Sequence, residues 1–366
     1  MSKKVIITAL ILMPLLFSCT SKQESGSRFG GVQIGAITYS WRSMPGGVEN
    51  IIKYCKEAGI SSIELISGDV EEFLGAPKNP MMGMFGPRPG PPPAGAPSQQ
   101  AQVPATPPPP PPPPPPPAAA APSAPAGAPR AGGPPAGGFR RFEMTPEQRA
   151  EMEKYNQDLK EWRLSVPMSK FEEVKKMFDE AGISIPIVKF SPARWSDEEI
   201  DYAFKAAKAL GAKGVTEEIG EEAVKRLAPF AEKHGMFAIF NNHMQFEEPG
   251  FSYDPFLEVS PAVMMNFDAG HFYGSTGIHP NTIIEKYHDR IFSIHLKDKT
   301  GLNTDPANEN QVWGQGEVPI EDVLLLIQEN KWPIYCDIEL EYPVKPWSNA
   351  VKEVKTCVKY ARQILM

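Results

Sequence analysis

Hydrophobic positions along the chain repeat as one unit, an amphipathic helix that ends at a glycine and is followed by a short apolar strand. The helical spacing occurs at 51–58, 171–181, 200–210 and 223–234, and the glycines that follow are Gly59, Gly182, Gly211 and Gly235. Glycine tolerates the left-handed conformation that commonly closes a helix. Ser196-Asp-Glu-Glu199 has the form of a capping box at the start of the third helix. The pattern therefore predicts a chain in which helices and strands alternate.

Eight strands can be counted in this way. They are predicted at 33–40, 62–66, 185–190, 214–218, 237–240, 263–267, 291–296 and 333–340, with further helices at 280–288, 320–330 and 348–365. Short apolar strands that alternate with helices are typical of a parallel sheet. Eight such units favour an α/β fold of the (βα)8 TIM-barrel type over an open doubly wound sheet. No Gly-x-Gly-x-x-Gly motif follows the first strand, which further disfavours a dinucleotide-binding fold.

The N-terminus has the pattern of an export signal. Lys3 and Lys4 precede an apolar run from Val5 to Phe17, and Leu16-Phe-Ser-Cys19 resembles a bacterial lipobox. We expect residues 1–18 to be a signal peptide, Cys19 to be lipidated, and residues 19–30 to form a polar tether. The protein would then be anchored in the cell envelope by lipid alone, facing the periplasm or lying on the outer membrane. An ordinary signal peptide or an uncleaved anchor is the alternative.

Proline dominates a second segment, residues 77–140, which contains an unbroken run from Pro107 to Pro117. Polyproline cannot supply ladder hydrogen bonds or an apolar face, so it cannot enter a core. We interpret the segment as a disordered or extended insertion after the second strand, where it serves as a surface spacer. Recognition by a proline-binding domain is the alternative. Without the two segments, the barrel domain at 31–366 keeps about 280 residues, enough for one TIM barrel.

Composition limits the partners of the chain. Its 366 residues carry a formal net charge of −7 and no basic patch, which argues against nucleic acid as a partner. If Cys19 is lipidated, three cysteines remain, and none belongs to a Cys-x-x-Cys pair. Neither a disulfide framework nor a thiolate zinc site is therefore indicated.

Polar residues gather where the predicted strands end, which is where TIM barrels carry their chemistry. Three of the six histidines fall at the ends of strands five to seven, and carboxylates end strands four, six and eight: His243, His271, His295, Glu218, Asp268, Glu339 and Glu341. Each residue alone could be a helix cap or a structural group. As a ring of oxygen and imidazole ligands without thiolates, they indicate a divalent metal such as Mn²⁺, Mg²⁺, Co²⁺ or Zn²⁺.

These residues resemble the sugar phosphate isomerase/epimerase family of xylose isomerase-like TIM barrels, which includes inosose dehydratase, hydroxypyruvate isomerase and ketose 3-epimerases. The matching stretches are Asn242-His243, Phe267-Asp-Ala-Gly-His271, Ile294-His-Leu-Lys-Asp298, Trp313-Gly-Gln-Gly-Glu317 and Ile338-Glu-Leu-Glu341. They extend over nearly all of 33–365 apart from the proline-rich insertion.

The resemblance implies a metal held by Glu, Asp, His and Glu. Asp268, His295 and Glu339 match the last three ligands, and Glu341 is an alternative to Glu339 because residues i and i+2 of a strand share a face. Many family members have Glu at the end of strand five, where this chain has Asn241. We assign the fourth ligand to Glu218, with His243 as the rival.

The chemistry implied is removal of a proton next to a carbonyl, with a metal stabilising the enediolate as a Lewis acid. We predict Glu218 or Glu339 as the base, assisted by His271 and Lys189. Substrate contacts are predicted for Arg42, Trp195, His243, Lys297 and Trp313, and Trp41 is a further aromatic candidate; each tryptophan could equally be packed in the core.

Export and the lack of a phosphate-binding glycine loop favour an unphosphorylated sugar or keto-sugar as the small-molecule substrate of an isomerase or epimerase. A lyase or dehydratase acting on a keto-sugar or 3-keto-glycoside uses the same enediolate and is the first alternative. A sugar-binding lipoprotein without catalysis is the second. A DNA-repair phosphodiesterase is disfavoured by the export signal and the acidic balance.

Overall fold

Eight parallel strands form a closed barrel in the computed structural model, which describes residues 26–83 and 144–366. The strands are β1 (Val32–Ile37), β2 (Ser62–Ile66), β3 (Ser184–Lys189), β4 (Gly214–Glu218), β5 (Phe237–Asn241), β6 (Val263–Asp268), β7 (Ile291–Leu296) and β8 (Tyr335–Ile338). Each strand pairs with the next in sequence, and β8 pairs with β1, so the sheet has no open side. The predicted (βα)8 TIM barrel is confirmed.

Helices connect the strands on the outside of the barrel. In chain order they are α1 (Val48–Ala58), α2 (Ser67–Phe73), α3 (Pro146–Ser165), α4 (Met168–Glu180), α5 (Asp197–Ala209), α6 (Glu221–His234), α7 (Asp254–Leu257), α8 (Ala269–Thr276), α9 (Asn281–Tyr287), α10 (Ile320–Asn330) and α11 (Ala350–Leu365). Short 3-10 turns occur at Thr38–Trp41, Pro80–Gly83 and Gln245–Glu247. All four predicted glycines, Gly59, Gly182, Gly211 and Gly235, have a positive φ, of 81°, 73°, 84° and 63°, and Gly59 and Gly235 are themselves the left-handed C-caps of α1 and α6.

Apolar faces of the helices pack against the strands and make one continuous core. In α11 every third or fourth residue is buried: Val351, Val354, Cys357, Val358, Ala361 and Leu365. Residues at this spacing lie on one side of a helix, and fully burying each of the valines and the leucine contributes about 1.5–3 kcal/mol. The capping box predicted at Ser196 and Glu199 is present at the start of α5. The hydrophobic pattern thus determines both the elements and the side of each that faces inward.

Helix α3 was absent from the prediction. It is capped by Thr145, whose side chain accepts a hydrogen bond from the Gln148 backbone N–H, while the Gln148 side chain accepts one from the Thr145 backbone N–H. Its surface is mostly polar, and its one buried residue is Arg163. The Arg163 guanidinium donates to both carboxylate oxygens of Glu71 at 2.8 and 3.2 Å and to Glu199 at 3.3 Å. A buried ion pair, rather than an apolar stripe, therefore anchors this helix.

The N-terminal end of the described chain belongs to the barrel domain. Residues Arg28–Phe29 pair antiparallel with β1, Phe29 is buried, and the Ser27 hydroxyl bonds to the backbone of Ile34. Residues 26–30, which we predicted as the end of the tether, are thus part of the folded unit. The predicted signal peptide at 1–18, Cys19 and most of the proline-rich insertion lie outside the described residues. Within those residues, no helix combines the length and the apolar character that crossing a membrane requires.

Candidate functional site

Inward-facing polar residues collect at the carboxyl ends of the barrel strands. Because alternate residues of a strand share a face, each of several strands contributes two of them, one above the other: Thr216 and Glu218, Asn266 and Asp268, His295 and Lys297, Asp337 and Glu339. Most of these eight side chains are buried. Burying so many polar groups is costly unless they bind one another or a ligand, so this end of the barrel is a candidate active site.

Asp268, His295 and Glu339 form the centre of the site. They come from β6, from β7 and from the residue after β8, and one ligand atom from each lies within 4.8 Å of the other two. Asp268 and His295 are at most 1% exposed, and Glu339 is 8% exposed. The structure thus brings together three of the four residues predicted to hold a metal.

One oxygen of Asp268 has no hydrogen bond from any residue that the structure describes. Its Oδ1 accepts from the backbone N–H of His271 at 2.8 Å, which caps α8 and fixes the side chain. Its Oδ2 is buried, and the charged groups of Lys297 and His271 lie 2.9 and 3.8 Å from it. A buried carboxylate oxygen held in this way is suited to bind a cation.

His295 lies between two carboxylates. Its Nε2 is 2.7 Å from Glu64 Oε2, and its Nδ1 is 3.0 Å from Glu339 Oε2. Burial alone would lower the pKa of His295, but the charges of Glu339 and Glu64 outweigh it and raise the pKa well above its usual range. Asn241 and Asn266 also contact the ring, at 3.1 and 3.0 Å. Asn241, at the end of β5, thus faces the predicted centre.

Lys297 is surrounded by carboxylates. Its Nζ lies 2.7 Å from Glu339 Oε2, 2.9 Å from Asp268 Oδ2 and 2.9 Å from Glu341 Oε2, and the residue is 2% exposed. Burial would raise the carboxyl pKa of Asp268 and Glu339, but Lys297 and the neighbouring histidines reverse this and lower both. If Lys297 contacts a substrate as predicted, it does so with an ammonium group that is already paired with these three carboxylates.

The donor set fits a divalent metal. Two carboxylates and one imidazole converge, they include an oxygen without a hydrogen bond, and oxygen and nitrogen ligands of this kind suit Mn²⁺, Mg²⁺, Co²⁺ or Zn²⁺. Glu64 holds the far nitrogen of His295, as carboxylates commonly do behind a metal-bound histidine. The residues that would hold the ion are Asp268, His295 and Glu339.

Glu218 lies outside this group of three. Its Oε1 accepts a hydrogen bond from Lys189 Nζ at 2.7 Å, and its Oε2 is 3.4 Å from Nδ1 of His243. Its side chain is 38% exposed, and that of His243 is 52% exposed. Glu218, Lys189 and His243 thus form a second and more open set.

His271 lies between the two sets. Its ring centroid is 5.1 Å from that of His243, and its Nε2 is 3.8 Å from Asp268 Oδ2 and 3.7 Å from Glu341 Oε2. Burial lowers the pKa of His271, Asp268 raises it and Lys297 lowers it again, so the net shift is downward. The imidazole is therefore neutral at neutral pH and its ring can accept a proton.

The predicted aromatic contacts are used for packing. Trp313 is 7% exposed and packs edge-on against Tyr360 of α11, and Trp41 is buried beside Tyr54. The guanidinium carbon of Arg163 lies 3.6 Å from the centre of the Trp195 ring. Trp41 and Trp313 are thus packed in the core, whereas Trp195 is half-buried with Arg163 over one face of its ring.

Arg42 reaches the end of β8. It covers the Tyr39 ring and donates to the backbone carbonyls of Leu340 and Glu341, the latter at 3.3 Å. It lines a cavity of about 420 Å³ between the segments that follow β1 and β8, together with Ser40, Glu341 and Lys345. Arg42 thus borders the site without being one of the charged groups at its centre.

Asp298 holds the loop that contains Trp313. Its carboxylate accepts backbone hydrogen bonds from Lys299, Gly314, Gly316 and Val318, at 2.8 to 3.2 Å. A side chain on Gly316 would place its Cβ 2.2 Å from Asp298 Oδ1. The glycine is therefore required by the close approach of backbone to carboxylate, which explains why the Lys-Asp and Gly-Gln-Gly motifs occur together.

Two functional contacts were missed by the sequence analysis. Glu64 of β2 was given no role, yet it contacts His295 Nε2 at 2.7 Å and also accepts hydrogen bonds from Thr216 at 2.8 Å and Asn266 at 2.9 Å. The pairing of Lys297 with three carboxylates was likewise not foreseen. The available signal was the polar alternation Thr216–Glu218 and Asn266–Asp268 inside otherwise apolar strands, which indicates two stacked polar layers.

Solved structures support the same fold. A probable 3-DHS dehydratase from Bacillus anthracis is 13% identical, with 90% of this chain and 98% of that chain covered at a TM-score of 0.50. A sugar phosphate isomerase/epimerase from Parabacteroides distasonis is 15% identical, with 97% and 100% covered, also at 0.50. A xylose isomerase domain protein from Alicyclobacillus acidocaldarius is 12% identical, with 91% and 98% covered at 0.50. Among curated proteins, none matches the chain significantly.

The family assignment rests on a sequence model. The model of the xylose isomerase-like TIM barrel matches residues 136–360, which is more than half of the 366 residues. The match includes β3 to β8 and all of the central residues except Glu64. With the closed barrel and the polar groups at its strand ends, this shows that the chain belongs to the family of xylose isomerase-like TIM barrels.

Proposed function

We propose that the chain is a metal-dependent sugar isomerase or epimerase, which removes and returns a proton on the carbon next to a carbonyl group. The observation that carries this proposal is the position of two charged sets side by side: Asp268, His295 and Glu339 at the centre, and Glu218, Lys189 and His243 beside them. His271 connects the sets, since it approaches both His243 and Asp268. One set can bind substrate oxygens while the other exchanges a proton with carbon.

Glu218 is the better base of the two predicted. Glu339 is stabilised as a carboxylate by His295 and Lys297, so its pKa is well below the usual range and its tendency to take a proton is low. Glu218 is partly open to solvent, and its Oε2 accepts no hydrogen bond. We therefore assign proton removal to Glu218 and place Asp268, His295 and Glu339 as the ligands of the metal.

A divalent ion bound at these ligands supplies Lewis acidity to the carbonyl and neighbouring hydroxyl of the substrate. Lys189 donates to Glu218 and holds it in place. The neutral ring of His271 can exchange a proton with a substrate hydroxyl, and Lys297 can donate to a substrate oxygen. Together these groups can bind, orient and deprotonate a sugar substrate without a phosphate-binding loop.

An unphosphorylated sugar or keto-sugar fits this site. The two lysines named in it, Lys189 and Lys297, are each paired with carboxylates, and the surrounding charge includes Glu218, Glu339 and Glu341. A phosphate group would face this acidic set and lose its hydration. Sugar hydroxyls, in contrast, can both donate to the carboxylates and accept from the lysines.

Elimination is the alternative that shares the same first step. If a hydroxyl or a glycosidic oxygen leaves from the next carbon, the reaction is that of a lyase or dehydratase, and Glu218, protonated in the first step, would return that proton to the leaving oxygen. The names of two structural neighbours, a dehydratase and an isomerase/epimerase, match these two outcomes. A sugar-binding lipoprotein without catalysis is the remaining alternative, and it gives no reason for a buried set of metal ligands.

We also propose that the protein works in the cell envelope, attached by lipid at Cys19. The lipobox-like sequence Leu16-Phe-Ser-Cys19 supports this proposal. Metabolic labelling with a palmitate analogue should mark the wild-type protein in the membrane fraction, whereas C19S should lose both the label and the membrane association. Equal labelling of C19S, matched against the buried-cysteine variant C55S, would exclude Cys19 as the lipid site.

Product analysis tests the function. Purified protein is stripped with a chelator, reloaded with Mn²⁺, Co²⁺ or Zn²⁺, and incubated with free ketoses, 3-keto-glucosides and their phosphorylated counterparts. We expect conversion of an unphosphorylated substrate in the reloaded protein only, to an isomer or epimer. A dehydrated or cleaved product would identify the elimination alternative. Binding of these sugars without conversion under every metal condition would instead identify the sugar-binding alternative.

A further inference from the structure

The ammonium of Lys297 lies at the oxygens that a metal would use. Its Nζ is 2.9 Å from Asp268 Oδ2 and 2.7 Å from Glu339 Oε2, and both carboxylates belong to the candidate metal group. A divalent cation binds carboxylate oxygens at about 2.0–2.6 Å and carries twice the charge of an ammonium. The two cations repel each other strongly at such distances in a buried site.

The lysine is held in this position by its surroundings. It is 2% exposed, and its stem passes directly over Gly270 in the Asp-Ala-Gly-His stretch of α8. A Cβ on Gly270 would lie 2.2 Å from Lys297 Cγ and 2.8 Å from the Lys297 carbonyl oxygen. Since Gly270 does not have a positive φ, the space for Lys297 is the reason for glycine here. The lack of a side chain at Gly270 therefore leaves the space through which Lys297 reaches Asp268 and Glu339.

Glu341 offers the Lys297 ammonium a carboxylate partner further from the centre of the site. It accepts a hydrogen bond from Lys297 Nζ at 2.9 Å, and it lies two residues beyond Glu339 on the same side of the chain. Its side chain is 19% exposed, compared with 10% for Glu339 and 0% for Asp268. An ammonium displaced from the two inner carboxylates can remain paired with Glu341.

We propose that Lys297 is an internal competitor of the metal, which occupies the Asp268 and Glu339 oxygens when the ion is absent and moves to Glu341 when the ion binds. The inference rests on the proposed metal group. It gives the site a defined resting state in which the buried carboxylates are neutralised without metal. It also makes metal affinity in this chain lower than the three ligands alone would provide.

Calorimetric titration with MnCl₂ at constant pH, after removal of bound metal, tests the competition. We expect K297M, which keeps the length of the side chain but removes its charge, to bind Mn²⁺ at least 10-fold more tightly than wild type. K299M is the matched control, because Lys299 is also buried and lies two residues further along, yet its Nζ donates to Asn310 rather than to the carboxylates. Its affinity should stay within about threefold of wild type, since only general charge changes.

The position at Glu341 is tested by combining substitutions. E341Q should weaken Mn²⁺ binding in the wild-type background and leave it unchanged in K297M, because K297M has no displaced ammonium for Glu341 to bind. If E341Q weakens binding equally in both, Glu341 is a metal ligand and the second position is wrong. K297Q repeats the affinity test if K297M does not fold.

Three results would overturn the inference: K297M binds Mn²⁺ no better than wild type, K299M gains as much as K297M, or neither wild type nor K297M binds Mn²⁺. The first two leave the proposed function intact, because product formation by the metal-loaded wild type is measured separately. If neither protein binds Mn²⁺, the product assay without metal shows whether the wild-type protein still converts a sugar.

Discussion

Glu64 Oε2 lies 2.7 Å from Nε2 of His295, and neither side chain is more than 1% exposed. The contact joins β2 to β7 across the interior of the barrel, and Thr216 and Asn266 complete the hydrogen bonds of Glu64 at 2.8 and 2.9 Å. The ring is thereby fixed with Nδ1 toward Glu339. A buried layer of polar residues thus sets the orientation of the candidate ligand above it.

Removing the charge of Glu64 should weaken metal binding without removing a ligand. We expect E64Q to lower the Mn²⁺ affinity by about 10-fold, because outer carboxylates orient histidine ligands and raise their basicity. Calorimetric titration measures the change. T216V is the control, since it removes only the hydrogen bond to the other oxygen of Glu64, and it should have a smaller effect. If E64Q binds Mn²⁺ as tightly as wild type, Glu64 does not position His295 for metal binding.

Substitution of Glu218 should separate catalysis from metal binding. We expect E218Q to lower kcat by about 100-fold or more, since a general base is worth roughly 10²–10⁴ in rate, while the Mn²⁺ affinity stays near wild type. E217Q is the matched control: Glu217 is the adjacent carboxylate but binds the backbone N–H groups of Ala193 and Glu218 outside the centre. A large loss of Mn²⁺ affinity in E218Q would instead support the original assignment of Glu218 as a fourth ligand.

The anchor of α3 should be important for stability. In R163M the buried carboxylates of Glu71 and Glu199 lose their cation, and breaking a buried pair in this way costs about 3–5 kcal/mol. We expect a clear fall in Tm by circular dichroism and faster proteolysis within 146–165. K170M removes an exposed partner of Glu173 and should change stability by less than about 1 kcal/mol. If R163M is as stable as K170M, another contact holds the helix.

Asp337 predicts a pH-dependent contribution to stability. It is fully buried, and neither oxygen has a hydrogen bond within residues 26–83 and 144–366. Burial together with the charge of Glu64 raises its pKa to about 8, although His295 lowers it. The folded state therefore keeps the proton up to about pH 8, while the unfolded carboxyl loses it near pH 4. In this interval the folded state binds more protons, so stability falls as pH rises, by at most about 1.4 kcal/mol per pH unit, and then levels off.

D337N cannot ionise and should lack this dependence. With chelator present, we expect the Tm advantage of D337N over wild type to grow from pH 5 to pH 8 and then to stay constant. D289N, at an exposed position, is the control and should follow wild type at every pH. A constant difference between D337N and wild type from pH 5 to pH 9 would show that Asp337 has an ordinary pKa in the folded protein.

The hydrophobic pattern was sufficient to predict the barrel, because burial determines the spacing of apolar residues in both helices and strands. It predicted the limits of β2, β4, β7 and α10 without error. It missed α3, because this helix is held by Arg163 and a capping box at Thr145 rather than by an apolar face. Only a local cap signal was available there, in Thr145-Pro-Glu-Gln148.

The site was predictable as a set of residue types but not as a set of contacts. Positions at strand ends placed Asp268, His295 and Glu339 together because parallel strands end at one side of the barrel. Which carboxylate pairs with each lysine or histidine depends on how far the side chains extend across the barrel. Residues that are neighbours in the sequence do not reveal these distances. Hence Lys189 is paired with Glu218, Lys297 with three other carboxylates, and Glu64 with His295.

Solvent exchange at carbon tests the central claim most directly. The protein loaded with Mn²⁺ is incubated in D₂O with the ketose or keto-glycoside that it binds, and NMR follows deuterium at the carbon next to the carbonyl group. We predict incorporation catalysed by wild type and lost in both D268N and E218Q. A substrate that binds at the site and is neither labelled nor converted would contradict proton transfer as the function of this barrel.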